Sequence, residues 1–142
     1  MEGKFKILAV DDNSISLATI EQELKGKYDV IPINSGVRAL QYLKQKTPPD
    51  LILLDVQMAL KDGVETLREI REMEKCQTIP VIMLTSQRDK QIILESSKLG
   101  INDYVLKPFN AQDLHERIER VLNKKEIKGH FADIREEKGE SI

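Results

Sequence analysis

The hydrophobic positions of the chain alternate between two spacings. Unbroken apolar runs that are too short for a helix are typical of strands buried on both faces of a parallel sheet. These runs predict five strands, at residues 4–10, 28–33, 51–54, 80–84 and 103–106. Each is followed by a segment in which apolar residues recur three or four positions apart, which is typical of an amphipathic helix. Strands that alternate with helices predict an α/β domain with a parallel sheet and helices on both faces.

Local signals predict where several helices begin and end. The first helix is predicted over residues 14–25, and the fourth over about residues 89–99 with Gly100 as its C-cap. Asp62 is a predicted N-cap of the third helix, and Glu65 three positions later completes a variant of the capping box.

The second strand contains Pro32, which cannot donate a hydrogen bond to a neighbouring strand, so this strand is predicted to lie at the edge of the sheet. The helix after it is predicted to turn Val37, Leu40 and Leu43 inward. Asn110 is the predicted cap of the fifth helix, whose inward face carries Leu114, Ile118, Val121 and Leu122.

Polar side chains follow four of the predicted strands. They are Asp11 and Asp12, Asp55, Thr85 and Lys107. The carboxyl ends of parallel strands meet at one edge of the sheet, where open α/β sheets place their chemistry, so these side chains are predicted to lie close together. Any one of them alone is explained by a turn or a helix cap. Four in this order, each at the end of a strand, are not.

This predicted cluster indicates phosphoryl chemistry. Three carboxylates in a small space repel one another, and oxygen ligands with room for water suit Mg²⁺ better than Zn²⁺. A carboxylate beside a metal ion, a hydroxyl and an ammonium can accept a phosphoryl group, with Asp55 attacking and Lys107 offsetting charge on the transferring oxygens.

Composition limits the other classes of function. The chain has 142 residues, 22 basic and 24 acidic side chains and no Trp, so it offers no obvious platform for nucleic acid. No apolar segment approaches the length of a membrane span. Cys76 is the single cysteine, so an intrachain disulfide is impossible, and a cytoplasmic location is expected. Residues 1–125 are predicted to form one domain, and residues 126–142 a charged C-terminal extension or linker.

Several segments together resemble the receiver domain of two-component response regulators, over about residues 5–124. They are ILAVDDN at 7–13, DLILLDVQM at 50–58, Gly63, MLTS at 83–86, Tyr104 and KPF at 107–109. The resemblance implies a flavodoxin-like (βα)5 fold with strand order 2-1-3-4-5. The chain shows no helix-turn-helix pattern and no second core, which favours a stand-alone or excised receiver.

The resemblance also implies roles for the acidic residues. Asp55 would be the phosphoacceptor of a phosphorelay. Asp12 and Asp55 would bind Mg²⁺ directly, Asp11 would help through water, and the main-chain carbonyl of Gln57 would be a further ligand.

Thr85 and Lys107 would contact the phosphoryl group, and Tyr104 would change position together with Thr85. A cis peptide bond is expected between Lys107 and Pro108. The implied donor is a sensor histidine kinase or a phosphotransfer protein. The implied output is a downstream protein or a homodimer that binds the face formed by the fourth helix, fifth strand and fifth helix. Such a domain is not a classical enzyme, since it promotes only its own phosphorylation and dephosphorylation.

The sequence departs from the family pattern at one position. Ala59 stands where the family usually has proline, which removes a backbone restraint from the loop. Gln57 and Gln87 occupy positions that tune the lifetime of the phosphoryl group in the family, and no lifetime follows from them.

Three alternatives remain open. A phosphatase of the haloacid-dehalogenase type also uses an aspartate nucleophile and Mg²⁺, but its second acid is replaced here by Gln57, which cannot protonate a leaving group. A flavodoxin-like electron carrier would need a phosphate-binding loop where Asp11 and Asp12 would repel a flavin phosphate. An unphosphorylated interaction module is disfavoured because the acids, Thr85 and Lys107 are all present.

Overall fold

The structure is a computed structural model that describes residues 3–86 and 90–137, with side chains described as far as residue 124. Gln87 and the predicted start of the fourth helix at Asp89 lie outside the described residues, as do residues 138–142.

The described part of the chain forms a parallel sheet of five strands in the order β2-β1-β3-β4-β5. The strands are β1 (Lys6–Val10), β2 (Asp29–Ile33), β3 (Leu51–Asp55), β4 (Val81–Thr85) and β5 (Asp103–Leu106). The predicted fold and strand order are therefore confirmed. Pro32 lies in β2, and β2 is an edge strand, as the missing N–H of proline requires.

Helices cover both faces of the sheet, because successive side chains of each strand point to opposite sides. The helices are α1 (Ser14–Leu24), α2 (Gly36–Gln45), α3 (Gly63–Glu72), α4 (Lys90–Leu99) and α5 (Ala111–Glu137), with a 3₁₀ turn at Glu74–Cys76. In β3, Leu51 and Leu53 pack in one core with α1 and α5, while Ile52 and Leu54 pack in the other with α2 and α3. Each of these three leucines and the isoleucine stabilises the fold by about 1.5–3 kcal/mol through burial.

The predicted helix caps are present. The Asp62 carboxylate accepts from the Glu65 N–H (2.9 Å) and the Glu65 carboxylate accepts from the Asp62 N–H (3.3 Å), which completes the capping box of α3. The Asn110 side chain accepts from the Asp113 N–H at the start of α5. Gly100 follows α4 with a positive φ of 105°. The peptide bond between Lys107 and Pro108 is cis, as expected.

One prediction about α2 is wrong. Leu40 and Leu43 are buried, but Val37 is 45% exposed. The buried positions of α2 are Gly36, Ala39, Leu40 and Leu43, so the inward stripe passes through Ala39 and leaves Val37 on the flank of the helix.

The fifth helix runs without interruption through Glu137, past the predicted division at residue 125. The division between a domain and a C-terminal extension stays a prediction. In the described part of the chain, every helix is too short or too polar to cross a bilayer.

Candidate functional site

Three aspartates converge at the carboxyl edge of the sheet, where β1 and β3 lie side by side. Asp55 is the last residue of β3 and is 3% exposed, and Asp11 directly follows β1 and is fully buried. Asp12 is exposed at the rim. Carboxylate oxygens of the three residues lie within 4.8 Å of one another. The strand order, which reverses direction between β1 and β3, creates this crevice.

Lys107 reaches the cluster from the turn after β5. Its Nζ lies 2.7 Å from Oδ2 of Asp11 and 3.1 Å from Oδ1 of Asp55. Because β4 separates β5 from β3, the long lysine side chain is what allows a residue at the end of β5 to contact Asp55. Each of the three acids is thus close to the others, and Lys107 offsets only part of their charge.

The electrostatic imbalance is visible at Asp55. Burial, and next the negative charge of Asp11, raise the pKa of Asp55 from 3.8 to about 6, although Lys107 works in the opposite direction. Burial lowers the pKa of the Lys107 ammonium. The hydrogen bonds and opposite charges of Asp11 and Asp55 raise this pKa by more, so the net shift is upward. Lys107 therefore stays protonated, and the ionised Asp55 carboxylate is held in an environment that favours its neutralisation.

The donor set fits a hard divalent cation. All three acidic residues offer carboxylate oxygens, and the exposure of Asp12 leaves one side of the cluster open to water. Mg²⁺ prefers oxygen ligands and retains several waters, whereas Zn²⁺ sites in proteins use mostly nitrogen and sulfur. The residues present are therefore suited to Mg²⁺.

Thr85 ends β4, next to β3, and is 2% exposed. Its carbonyl accepts a hydrogen bond from the Lys107 N–H (2.7 Å), which joins the ends of β4 and β5. Thr85 and Tyr104 line the same small cavity under α4, and Tyr104 is 37% exposed. The structure thus places the two predicted switch residues on one cavity.

Two hydrogen bonds at the site were not predicted from the sequence. The Ala59 N–H donates to Oδ2 of Asp12 (2.8 Å), and the Ser86 hydroxyl donates to the side-chain oxygen of Gln57 (2.7 Å). The second bond ties the loop after β3 to the loop after β4. The sequence gives one indication of the first bond. The proline that the family usually has at position 59 has no N–H to donate, whereas Ala59 has one.

Comparison with known families agrees with this geometry. The family model of the response regulator receiver domain matches residues 7–119, which is most of the chain. The chain belongs to this family. Membership favours the receiver over the phosphatase and the electron carrier that the sequence left open.

The curated relatives differ in length. The chemotaxis protein CheY homolog of Campylobacter jejuni is 33% identical over 119 residues, which are 82% of this chain and 92% of that protein. The alkaline phosphatase synthesis transcriptional regulatory protein PhoP of Bacillus subtilis is 30% identical over 136 residues, 95% of this chain. The chain spans about half the length of PhoP, since the match covers 55% of that protein.

Solved structures share the fold. The receiver domain of the sensor histidine kinase PA1611 from Pseudomonas aeruginosa PAO1, determined with a magnesium ion coordinated in its active site cleft, has a TM-score of 0.78 and 30% identity. The superposition covers 85% of this chain and 99% of that one.

Proposed function

We propose that Asp55 is the phosphoacceptor of a two-component phosphorelay and takes a phosphoryl group from the phosphohistidine of a sensor histidine kinase or a phosphotransfer protein. The observation that carries this proposal is the geometry around Asp55. Its buried carboxylate lies 3.1 Å from the Lys107 ammonium and within 4.8 Å of the carboxylates of Asp11 and Asp12. A buried nucleophile with an adjacent cation and an open acidic rim is suited to phosphoryl transfer.

In the proposed step, an oxygen of Asp55 attacks the phosphorus atom of phosphohistidine. The new P–O bond forms as the P–N bond breaks, the electron pair of that bond stays on the histidine nitrogen, and an acyl phosphate results. Lys107, held between Asp11 and Asp55, offsets negative charge on the phosphoryl oxygens. The Thr85 hydroxyl is proposed to contact the same oxygens.

Asp12 and Asp55 would hold Mg²⁺ directly, Asp11 would act through water, and the Gln57 carbonyl would add a ligand. When bound, the ion supplies positive charge for the transferring phosphoryl group. The cluster of three carboxylates supports this assignment, as does the Pseudomonas receiver domain, which coordinates a magnesium ion in its active site cleft.

The proposed output is a rearrangement of the face formed by α4, β5 and α5. Thr85 would move toward the phosphoryl group, and Tyr104 would swing inward into the space next to it. Weak packing of α4 supports this choice, because Ser96 is the only buried residue of Lys90–Leu99, all of which are described.

On the same face, Asp103 binds the Arg117 guanidinium through both carboxylate oxygens (2.8 and 2.9 Å). A downstream protein or a second copy of the chain would dock there.

The test is labelling by a small phosphodonor with Mg²⁺, measured by intact mass. The wild type should gain one phosphoryl group, and Asp55→Asn should gain none. Asp50→Asn is the matched control, because Asp50 lies at the other end of β3, where its carboxylate accepts the Lys6 N–H. Asp50→Asn should label like the wild type. Full labelling of Asp55→Asn would contradict the assignment, and an unlabelled wild type would favour an unphosphorylated interaction module.

A further inference from the structure

The loop between β3 and α3 reaches back to the acidic cluster through its main chain. The Ala59 N–H donates a hydrogen bond of 2.8 Å to Oδ2 of Asp12, a residue 47 positions earlier in the sequence. This contact joins the loop after β3 to the residue pair that follows β1. A hydrogen bond from an amide to an ionised carboxylate is stronger than one between neutral groups.

The course of the loop fixes where this N–H points. Met58 is buried in the core that includes Ile52 and Leu54, so it anchors the loop one residue before Ala59. Leu60, one residue after, is fully exposed and has a positive φ of 67°, a conformation that is costly for leucine. The Gly63 N–H donates to the Val56 carbonyl (2.9 Å) and closes the loop on the end of β3.

Close packing at Gly63 explains why the loop takes this path. A Cβ atom at position 63 would lie 2.2 Å from the Asp55 carbonyl oxygen, so only glycine allows this approach. The loop is therefore fixed at Met58 on one side and at Gly63 on the other, with Ala59 between them. Its N–H is held in place by the fold, not by the Ala59 side chain, which is exposed.

We propose that the Ala59 N–H is a positioning group for Asp12 and holds this exposed carboxylate beside Asp11 and Asp55, ready to bind the divalent cation. The inference rests on the Mg²⁺ site of the proposed function. A carboxylate has about four lone-pair sites, so Asp12 can accept this N–H and bind a metal ion at the same time. Without the bond, the Asp12 side chain would sample several rotamers in the metal-free protein. Metal binding would then have to restrict this side chain, and the lost conformational entropy would weaken the affinity for the cation.

The bond depends on the residue type at position 59 in one way only. Proline has no N–H and cannot make it, whereas serine and glycine keep it. Loss of a hydrogen-bond partner of a metal ligand typically weakens metal binding by about 10–100-fold. Because Asp12 is exposed, water can replace part of the lost bond, and we expect a value near the lower end, about 10-fold.

The experiment compares Mg²⁺ affinity of the metal-free wild type, Ala59→Pro, Ala59→Ser and Ala59→Gly by nuclear magnetic resonance titration. Ala59→Pro should bind Mg²⁺ about 10-fold more weakly, and the serine and glycine variants should bind like the wild type. Equal affinity of Ala59→Pro and the wild type would overturn the inference. So would a loss in Ala59→Ser as large as in Ala59→Pro, because the effect would then come from the side chain.

A second measurement does not depend on whether Ala59→Pro folds. Amide hydrogen exchange at Ala59 in the metal-free wild type should be slow, and Asp12→Ala should abolish this protection. The Gly63 amide, bonded to the Val56 carbonyl, is the internal control and should keep its protection in both proteins. Unchanged protection of Ala59 in Asp12→Ala would show that Asp12 does not accept this N–H. If the wild type binds no Mg²⁺, the proposed function itself is contradicted. If it binds Mg²⁺ but Ala59→Pro binds equally well, only the inference about the Ala59 N–H fails.

Discussion

Asp55 is held in an environment that disfavours its own charge. Burial and the neighbouring Asp11 raise its pKa to about 6, while Lys107 compensates for only part of this effect. A carboxylate in this situation is stabilised by whatever neutralises it, whether a proton or a bound cation. The same feature makes the residue costly for the stability of the metal-free protein.

This cost predicts a pH dependence. The folded protein binds the Asp55 proton more tightly than the unfolded chain, because the pKa of Asp55 is about 6 in the fold against the ordinary 3.8 of an exposed aspartate. The contribution of Asp55 to the free energy of unfolding of the metal-free wild type therefore falls as pH rises from about 4 to about 6. Asp55→Asn should remove that fall and be more stable at pH 7 by on the order of 1–3 kcal/mol, with the gain absent near pH 4.

Urea unfolding at several pH values, with a chelator present, measures the difference between the two proteins. Asp29→Asn is the control, because Asp29 is exposed at the start of edge strand β2. At pH 7 the gain in stability should be larger for Asp55→Asn than for Asp29→Asn, because only Asp55 is buried beside other acids. A stability difference for Asp55→Asn that is constant from about pH 4 to about pH 6 would contradict the account of Asp55.

At the scale of elements, the strands and their ends could be predicted because their cause is local. The run at residues 51–54 is apolar on both faces and is followed directly by Asp55. These few residues therefore predict both the buried strand and the acid at its end. The Ala59 contact with Asp12 could not be predicted in the same way, since it depends on how the loop packs at Met58 and Gly63. The position of Val37 does not follow from the sequence, because a stripe of three apolar residues fits more than one orientation of α2.

The packing of α4 predicts where phosphorylation changes the domain. Amide exchange should change within Lys90–Leu99 and Asp103–Leu106 when a stable phosphoryl mimic binds at Asp55, because this helix buries so little apolar surface. Exchange should change little in α1, which buries Ile20 and Leu24, and in α2, which buries Leu40 and Leu43. Changes confined to α1 and α2 would rule out the α4-β5-α5 face as the output surface.

In the whole molecule, one topological feature assembles the site. The strand order places β1 beside β3, and this neighbourhood brings Asp11, Asp12 and Asp55 together, while β5 delivers Lys107 from two strands away. The loop after β3 then returns to Asp12 through the Ala59 N–H. The three aspartates, Lys107 and the loop after β3 therefore form one connected site, in which Asp11 and Asp55 are buried and Asp12 is exposed.

Chemical trapping tests most directly whether Asp55 itself carries the phosphoryl group. Borohydride reduces the acyl phosphate of an aspartate to homoserine and so marks the modified residue. After phosphorylation with Mg²⁺ and digestion with trypsin, the peptide of residues 47–61 contains both Asp50 and Asp55, so it carries its own control. Tandem mass spectrometry should find homoserine at position 55 and unchanged aspartate at position 50. Homoserine at any other aspartate, with position 55 unmodified, would contradict the account.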